Sequence, residues 1–388
     1  MQNMKVRILQ KAEHSLTRPL WELVFVEDSK AFLDYYYFFK TQENEIFVIE
    51  EDGAVRSMLH LNPYLIRAGE QQFNGHYIIG VATECAYRKR GYMAMLLKDA
   101  MQKMYERKEL FTFLMPAAEA IYTPFDFRFV YDQTLRTYVI DKQQDYECSM
   151  GVSEGVVVTD AGIGEGKNLA DFFNEYFSEK FQVYAMRSAQ YYQTMIFEQQ
   201  SECGGIKMIK KNGRLIGTFL YGDEEGLEIR EPLYLEEYER EFWIAVRQLC
   251  EERGQSEAVI YADISETTIK KPMIMIRIVH LESFFSTLRI KAGEQIDCSF
   301  AVIDSILSQN SRIWRLQGGT DAESRTILAT ETEDSEGVLS IAAFTSLVFG
   351  YKDIEEIANE PGVFLTEHLI DELKKIQPLR KIYLNEIV

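Results

Sequence analysis

Cysteine and histidine are both scarce in this chain of 388 residues, with five of each. The cysteines are Cys85, Cys148, Cys203, Cys250 and Cys298. Their odd number, wide spacing and lack of a CxxC pair predict free thiols in a reducing compartment. Because the histidines include no pair at the spacing of helical metal ligands, the sequence also predicts no metal site.

Long apolar runs and an excess of positive charge are absent as well. The first residues hold no apolar signal-peptide core, and the longest apolar stretch, around 341–349, is far shorter than a membrane span. The 42 basic residues face 61 acidic ones, and the net charge of −19 repels nucleic acid and acidic lipid. We therefore expect a cytoplasmic protein without nucleic-acid or membrane partners, which attracts cationic small molecules or basic peptides.

What the chain does contain is ordinary globular composition, with 46% hydrophobic, 13% aromatic and 27% charged residues. Two apolar runs meet at Asp52-Gly53 within residues 46–61, where glycine tolerates the positive φ of a hairpin turn. The patterns that follow predict a strand over 71–83, an amphipathic helix over 90–108, a buried strand over 110–115, a short helix over 119–125 and a strand pair over 129–140. This order is typical of an α+β unit.

A second hairpin signal at residues 206–221 repeats the pattern of residues 46–61 at a distance of 160 positions, with Asn212-Gly213 at its turn. A strand near 226–229, a helix over 236–253 and a strand over 258–262 then follow in the same order. The sequence therefore indicates a repeated domain, although a hairpin followed by a helix also arises by chance.

The pattern changes again after residue 280. It predicts a helix over 280–288, strands near 296–303, 312–316 and 326–330, helices over 339–348 and 365–376, and a docked apolar tail from 380. We accordingly expect α+β architecture in three domains, at 1–145, 146–279 and 280–388.

The junction between the third strand and the first long helix carries the strongest chemical signal. Arg88, Lys89 and Arg90 precede Gly91 and the amphipathic helix. Free N–H groups at a helix start, together with arginine and lysine side chains, form a binding site for a pyrophosphate. The alternative is a solvated basic turn, and the spacing alone leaves both open. The second repeat has an acidic segment, 231–241, at this place.

This junction resembles the acetyl-coenzyme A loop of the GNAT acetyltransferases, [QR]xxGx[GA], with Met93 where that family has a small residue. The variation is similar to the enhanced intracellular survival (Eis) family of N-acetyltransferases. That family joins an active GNAT domain, a GNAT-like domain without a coenzyme loop and a sterol-carrier-like C-terminal domain. The stretch 117–127 resembles the segment in which the family places its catalytic tyrosine.

The resemblance implies an acetyl-CoA-dependent N-acetyltransferase that acts by direct transfer in a ternary complex. Its acceptor is expected to be a primary amine of aminoglycoside, polyamine or lysine type, and a homo-oligomer is expected. The resemblance further implies that Tyr122 is the general acid and that the carboxylate of Val388 accepts the proton. It assigns coenzyme binding to Val81, Ala82, Thr83, Arg88, Lys89, Arg90, Gly91, Tyr92, Met93, Ala94, Ala117 and Ala118.

Alternatives remain for several of these residues. Tyr122 is one of 22 tyrosines, most of which must serve packing, and the end of the chain can be a tail docked only for stability. Cys85 has no histidine nearby in sequence, so a small buried hydrophobe fits it better than a nucleophile. A cationic substrate near the aromatic run 34–40 and acidic residues such as Asp28 and Glu386 is physically sensible. For the whole chain the alternative is a non-catalytic carrier or sensor of a hydrophobic ligand.

Overall fold

The computed structural model describes residues 5–140, 153–224, 226–262, 269–319 and 325–386. The strands are β1 (Lys5–Ile8), β2 (Glu45–Glu51), β3 (Ala54–Ala68), β4 (Gln71–Thr83), β5 (Phe111–Leu114), β6 (Arg128–Val139), β7 (Val156–Asp160), β8 (Val183–Ala185), β9 (Gly205–Lys211), β10 (Arg214–Gly222), β11 (Glu228–Tyr234), β12 (Glu257–Ile260), β13 (Ile269–Ile278), β14 (Arg289–Ile290), β15 (Ile296–Ile303), β16 (Ile313–Gly318), β17 (Ile327–Glu331), β18 (Gly337–Ser340), β19 (Phe364–Leu365), β20 (Ile376–Gln377) and β21 (Ile382–Tyr383). The helices are α1 (Arg18–Val24), α2 (Lys30–Phe38), α3 (Tyr92–Glu106), α4 (Glu119–Tyr122), α5 (Gly166–Tyr176), α6 (Ala189–Ser201), α7 (Glu239–Arg253), α8 (Leu281–Phe284), α9 (Ile341–Val348), α10 (Ile354–Ala358) and α11 (Glu367–Leu373).

One long sheet joins the first two thirds of the chain. In the described ranges its strands run β1-β2-β3-β4-β5-β13-β6-β12-β11-β10-β9-β7. The hairpins β2–β3 and β9–β10 occupy equivalent places at its two ends, and each is followed by a strand, a long helix and a parallel strand. The structure therefore repeats the element order that the internal sequence echo predicts.

Two strands are exchanged between the repeats at the middle of this sheet. Strand β13, from the second repeat, pairs with β5, while β6, from the first repeat, pairs with β12. The expected strand pair over 129–140 is thus wrong, because β6 is a single long strand with partners on both sides. The exchange ties the two repeats into one sheet, and the limits of the three domains stay predictions.

Helix α3 packs on the sheet as its periodicity predicts. Leu96, Leu97, Ala100, Met101 and Met104 are buried, and each has another of them three or four positions away, so they share one face of the helix. This fixes the start of α3 beside the ends of β2 and β4, since Tyr92 in its first turn donates a hydrogen bond to Glu51 at the end of β2. Packing of the helix therefore positions the basic junction.

The C-terminal unit has its own five-stranded sheet, β17-β16-β15-β18-β19. Its helix α9 is buried on most of its surface, and Leu339, expected in that helix, lies instead in β18, which runs parallel to β15. The chain then returns to the long sheet through β21, which pairs with β8. The fold is mixed helix and strand, as predicted, and no helix in the described ranges has the length and hydropathy to cross a membrane.

Candidate active site

Strands β4 and β5 separate near the middle of the long sheet. They run parallel, and their register contains a single pair, Tyr77 with Phe113. A bulge in β4 lies just beyond this pair, because three steps from Ile79 to Ala82 face two steps from His60 to Met58 on β3. A bulge bends the strand that carries it and disrupts the local ladder. The result is a gap between two parallel strands, open toward their carboxyl ends.

Glycine is required at this bulge. Gly80 has φ of +58°, and a Cβ atom there would lie 2.5 Å from Cζ3 of Trp21. Both the left-handed backbone and the close ring exclude a side chain. Val81, Ala82 and Thr83 follow, and on the β3 side the Ala82 carbonyl accepts a hydrogen bond of 2.9 Å from Ser57 Oγ. Among the described residues, no strand pairs with them on the β5 side.

The basic junction lies directly after this strand end. Arg88, Lys89 and Arg90 are exposed, and Gly91, with φ of +81°, forms the N-cap of α3. No side chain in the described ranges caps this helix, so the first-turn N–H groups of Tyr92, Met93 and Ala94 lack intrahelical acceptors. Nothing lies within 4 Å of a Cβ built at Gly91, which leaves the backbone accessible to a ligand.

Arg88 and Arg90 each contact neighbouring residues of the N-terminal domain. Arg88 Nε donates to the Thr83 carbonyl at 3.2 Å, which fastens the junction to the strand end. Arg90 lies over the ring of Tyr87 at 4.6 Å and approaches the buried carboxylate of Glu51 at 3.6 Å. The structure therefore brings the residues predicted for coenzyme binding at 81–83 and 88–94 to one edge of the sheet.

The remaining predicted residues follow β5. Ala117 and Ala118 are exposed, and Ala118 is the N-cap of α4. Tyr122, on α4, is 8% exposed and packs edge-on against Phe127 with 6.0 Å between ring centroids. Its hydroxyl has no hydrogen-bond partner in the described part of the chain, and burial raises the pKa of this phenol to about 12. Tyr122 therefore stays protonated at neutral pH and holds a donor available for a ligand.

A cavity of about 430 Å³ opens where β5 ends. Its wall includes Met115 and Pro116 from the first repeat, Glu198 and Glu231 from the second, and Asn385 near the C-terminus. A neighbouring cavity of about 510 Å³ shares Met195 and Glu198 with it and is also lined by Lys40, Tyr64 and Glu386. The two cavities therefore meet at Glu198.

Buried carboxylates dominate the electrostatics of this region. Glu231 contacts Arg187 at 2.9 Å, and Glu386 contacts the same arginine at 3.4 Å and accepts from the Tyr191 hydroxyl at 2.8 Å. Glu198 accepts a hydrogen bond of 3.1 Å from the Tyr35 hydroxyl. Burial raises the pKa of all three carboxyls, that of Glu198 to about 7.

The surroundings of Tyr122 adjoin the two cavities. Tyr77, next to the gap, is buried, and its burial together with the nearby Tyr122, Glu386 and Glu198 raises the pKa of its phenol. The chain end reaches the same place, because Tyr131 donates to the Leu384 carbonyl. The predicted docking of the C-terminal segment is confirmed as far as Glu386, which is 2% exposed.

The remaining predictions concern Val388, Cys85, Asp28 and Glu386, and their outcomes differ. Val388 lies outside the described residues. Cys85 is exposed in the turn before the basic junction, so its assignment as a buried hydrophobe is wrong. Asp28 accepts a hydrogen bond of 2.6 Å from the Trp21 indole and is absent from the walls of both cavities, whereas Glu386 lines one of them. Glu198 and Glu231 were missed, and their only sequence signal was the acidic character of the second repeat.

The comparisons with known proteins agree with this architecture. Residues 5–130 match the model of the acetyltransferase (GNAT) domain, and residues 281–385 match that of the sterol carrier protein domain. The chain therefore carries a GNAT acetyltransferase domain and a sterol-carrier-like domain, and it is an enzyme of the GNAT N-acetyltransferase type. A search of curated proteins finds no significant match.

Solved structures share the fold over nearly the whole chain. A conserved protein of Enterococcus faecalis V583, described as a probable N-acyltransferase, has a TM-score of 0.81 at 16% identity and covers 99% of this chain and 100% of its own. A GCN5-related N-acetyltransferase of Anabaena variabilis ATCC 29413 has 0.79 at 14%, with 98% and 99% covered. Eis1 of Mycobacterium abscessus has 0.70 at 12%, also with 98% and 99% covered.

Proposed function

We propose that this enzyme transfers the acetyl group of acetyl-CoA to a primary amine by direct attack in a ternary complex, in the manner of the Eis-like N-acetyltransferases. The observation that carries the proposal is the gap beyond Tyr77, where the end of β4 has no partner on its β5 side among the described residues and adjoins a basic helix start without a side-chain cap. Fold likeness alone does not select this reaction, since one fold serves many acceptors.

Binding of the cosubstrate is assigned to residues of the N-terminal domain. Backbone groups at 81–83 lie beside the gap and are available to a pantetheine arm, as no described strand pairs with them on the β5 side. The N–H groups at 88–94 and the cations Arg88, Lys89 and Arg90 suit a pyrophosphate at the positive end of the helix dipole. Ala117 and Ala118 are exposed across the gap and leave room for the coenzyme.

The chemistry requires one proton acceptor and one proton donor. The amine nitrogen forms the new C–N bond while the thioester C–S bond breaks, so the amine loses a proton and the departing thiolate gains one. Tyr122 is proposed as the donor, because its hydroxyl is protonated and without a partner in the described structure. Backbone N–H groups beside the gap suit the developing negative charge on the thioester oxygen.

The proton acceptor expected from the resemblance is the carboxylate of Val388. The position of Glu386 supports this role, since the chain at that residue is buried in the wall of the cavity. A chain extended beyond Val388 is expected to bind acetyl-CoA with unchanged affinity and to lose turnover. Full activity of the extended chain would remove this carboxylate from the mechanism.

Two measurements on the unmodified chain test the proposal as a whole. Acetyl-CoA is expected to raise the melting temperature, since a ligand at 100 times its Kd adds about 2.7 kcal/mol of stability. Acetyl-CoA consumption is then measured against polyamines, aminoglycosides and lysine peptides, and mass spectrometry identifies the amide formed. An absent thermal shift would contradict coenzyme binding and favour a role as carrier of a hydrophobic ligand, for which the sterol-carrier-like domain is the supporting observation.

A further inference from the structure

The cavity at the end of β5 combines apolar walls with buried acids. The greater part of its surface is apolar and comes from residues such as Met115, Leu135, Met195 and Leu220. A ligand rich in hydroxyl groups would leave many of them without hydrogen-bond partners against these side chains, which is costly. An alkyl chain meets no such penalty, so the wall favours a hydrocarbon chain with few polar groups.

The acids in this cavity are incompletely paired. Oε2 of Glu231 and Oε1 of Gln199 are buried and find no hydrogen-bond partner in the described structure, and both residues line the cavity. Their side chains are almost fully excluded from solvent, with 5% and 1% of the residue exposed. A buried acceptor without a donor is unfavourable, so these atoms indicate a ligand that brings N–H groups.

The charges around these acids also fail to balance. Three buried carboxylates, those of Glu198, Glu231 and Glu386, face the two cations Arg187 and Lys40 in the described part of the chain. Farther out, Arg230 is occupied by Glu202 and Glu228, at 2.7 Å each, and Lys271 is exposed at the rim. When all three carboxyls are ionised, these cations leave one negative charge without a partner, and a cationic ligand would stabilise that charged form, because an unpaired buried carboxylate is costly.

A bulge in the backbone places Glu231 at this cavity. Glu231 has φ of +48°, and it occupies a bulge in β11 between Arg230 and Leu233. A left-handed backbone in a glutamate costs free energy, and such strain persists mainly where function requires the position. Here the bulge turns the carboxylate toward the cavity wall instead of leaving it in the regular alternation of the strand.

We infer that this cavity binds a linear alkyl diamine or polyamine as the acetyl acceptor and that Glu231 and Glu198 hold its distal ammonium group. The inference rests on the proposed function, since it places the reacting amine beside Met115 at the gap. The alkyl segment lies along the apolar wall. One end of the acceptor is then free to lose its proton and react, while the other end stays charged and bound.

A ligand series on the unmodified chain tests the inference without any substitution. Calorimetric titrations without coenzyme compare 1,5-diaminopentane with 1,5-pentanediol, which has the same chain length but hydroxyl groups in place of both ammonium groups. The diamine is expected to bind roughly 10- to 100-fold more tightly than the diol, as a charged hydrogen bond to a buried acid contributes that much. Equal affinities, or tighter binding of an aminoglycoside or a lysine peptide than of diamines, would overturn the inference.

A matched pair of variants locates the site. Glu231→Gln preserves the shape and is expected to remove most of the preference for the diamine, whereas Glu251→Gln, exposed on α7 and paired with Arg247, is expected to leave it intact. A retained preference in a folded Glu231→Gln chain would overturn the assignment. If that chain fails to fold, Glu198→Gln and the ligand series decide.

Acetyl-CoA binding is measured on the same preparations. Diamine binding without acetyl-CoA binding would contradict the proposed function and keep the diamine site. Acetyl-CoA binding without diamine preference would contradict only the inference made here.

Discussion

The two repeats differ most at the junction between the third strand and the following helix. In the first repeat this junction has Arg88, Lys89 and Arg90 before α3, whereas the second has Glu236 and Glu237 before α7, whose first turn adds two more acids. The helices are equally long and pack on the same sheet. Under the proposed function, the junction sequence decides which repeat binds the anionic coenzyme, because basic residues at a helix start attract an anion and acidic residues repel it.

The bulge beside this junction is equally instructive. In both repeats it lies opposite equivalent hairpin residues, Met58 and His60 in the first and Thr218 and Leu220 in the second. The left-handed residue is Gly80 in one case and Glu231 in the other. In the first repeat the bulge leaves backbone groups of β4 accessible to the proposed coenzyme. In the second repeat, by our inference, the bulge positions a carboxylate for the acceptor. The second repeat is thus more than a scaffold in the proposed mechanism.

The largest effect is expected from removal of one hydroxyl in the first repeat. Tyr122→Phe should lower kcat at least 100-fold, because general acid catalysis contributes that much, and leave the Kd of acetyl-CoA unchanged. Since burial raises the pKa of Tyr122 to about 12, kcat of the unmodified enzyme should not fall from loss of this proton below about pH 11. Steady-state kinetics and calorimetry measure the two quantities.

Tyr238→Phe, before α7 in the second repeat, is the control and should keep full activity. A Tyr122→Phe enzyme with nearly normal kcat would return this tyrosine to a packing role, which its contact with Phe127 already supports.

The next largest effect concerns the basic junction itself. The double variant Arg88→Ala and Arg90→Ala should raise the Kd of acetyl-CoA roughly 10- to 100-fold, since two charged hydrogen bonds to phosphate are lost. Stability should hardly change, because both residues are exposed. Glu236→Gln with Glu237→Gln changes the corresponding junction of the second repeat and should leave the Kd unaltered. Unchanged coenzyme affinity in the arginine variant would mean that the junction is only a solvated turn.

The residues of the first repeat were predictable because their signals are local. The hairpin at 46–61, the periodicity of α3 and the basic turn lie within short windows of sequence, and each is confirmed as a structural element. The roles of Tyr122 and the coenzyme residues came from family resemblance and remain predictions. Glycine at position 91 was predicted for close approach of a ligand, and its left-handed backbone and open surroundings fit that reading.

The cavity at the end of β5 was not predictable from the sequence, because residues that are far apart in the chain form its wall. Glu198 lies on α6 and Glu231 on β11, and Lys40 is more than 150 positions away from both. The exchanged strands β6 and β13 contribute Leu135 and Met273 to the cavity wall, and no local pattern distinguishes an exchanged strand from a hairpin. Charge imbalance in a cavity is visible only after the fold brings these residues together.

A smaller effect is expected from pH on acceptor binding. Because burial raises the pKa of Glu198 to about 7, the carboxylate is lost as pH falls below 7, and diamine affinity should fall up to tenfold per pH unit. The ammonium groups stay charged throughout, since they titrate near pH 10. The groups that act on Glu198 are Tyr35 and Lys40 from the α2 side, Glu202 directly after its own helix, Arg230 on β11, and Tyr64 and Tyr77 on β3 and β4.

Calorimetric Kd values between pH 5.5 and 8.5 measure this dependence without the proton loss that turnover requires. Glu198→Gln should flatten the profile, while 1,5-pentanediol, which has no ammonium group, should show little dependence in either chain. A diamine profile that is flat in the unmodified chain would contradict the role of Glu198.

The smallest effect lies at the ends of the two long helices, far from the chemistry. Both helices end in the same motif, with Glu109 N–H bonded to the Met104 carbonyl at 3.1 Å and Gln255 N–H bonded to that of Cys250 at 2.9 Å. The left-handed residue is Lys108 (φ +58°) in the first repeat and Gly254 (φ +67°) in the second.

Exchanging these residue types should move the free energy of unfolding in opposite directions. Lys108→Gly should raise it by about 1 kcal/mol, and Gly254→Ala should lower it by about 1 kcal/mol, because only glycine adopts this backbone without strain. Lys108 is exposed and a Cβ at Gly254 meets no atom within 4 Å, so packing adds little to either change. Urea unfolding measures both, and shifts of equal sign would show that the two helix ends are not equivalent parts of a repeated domain.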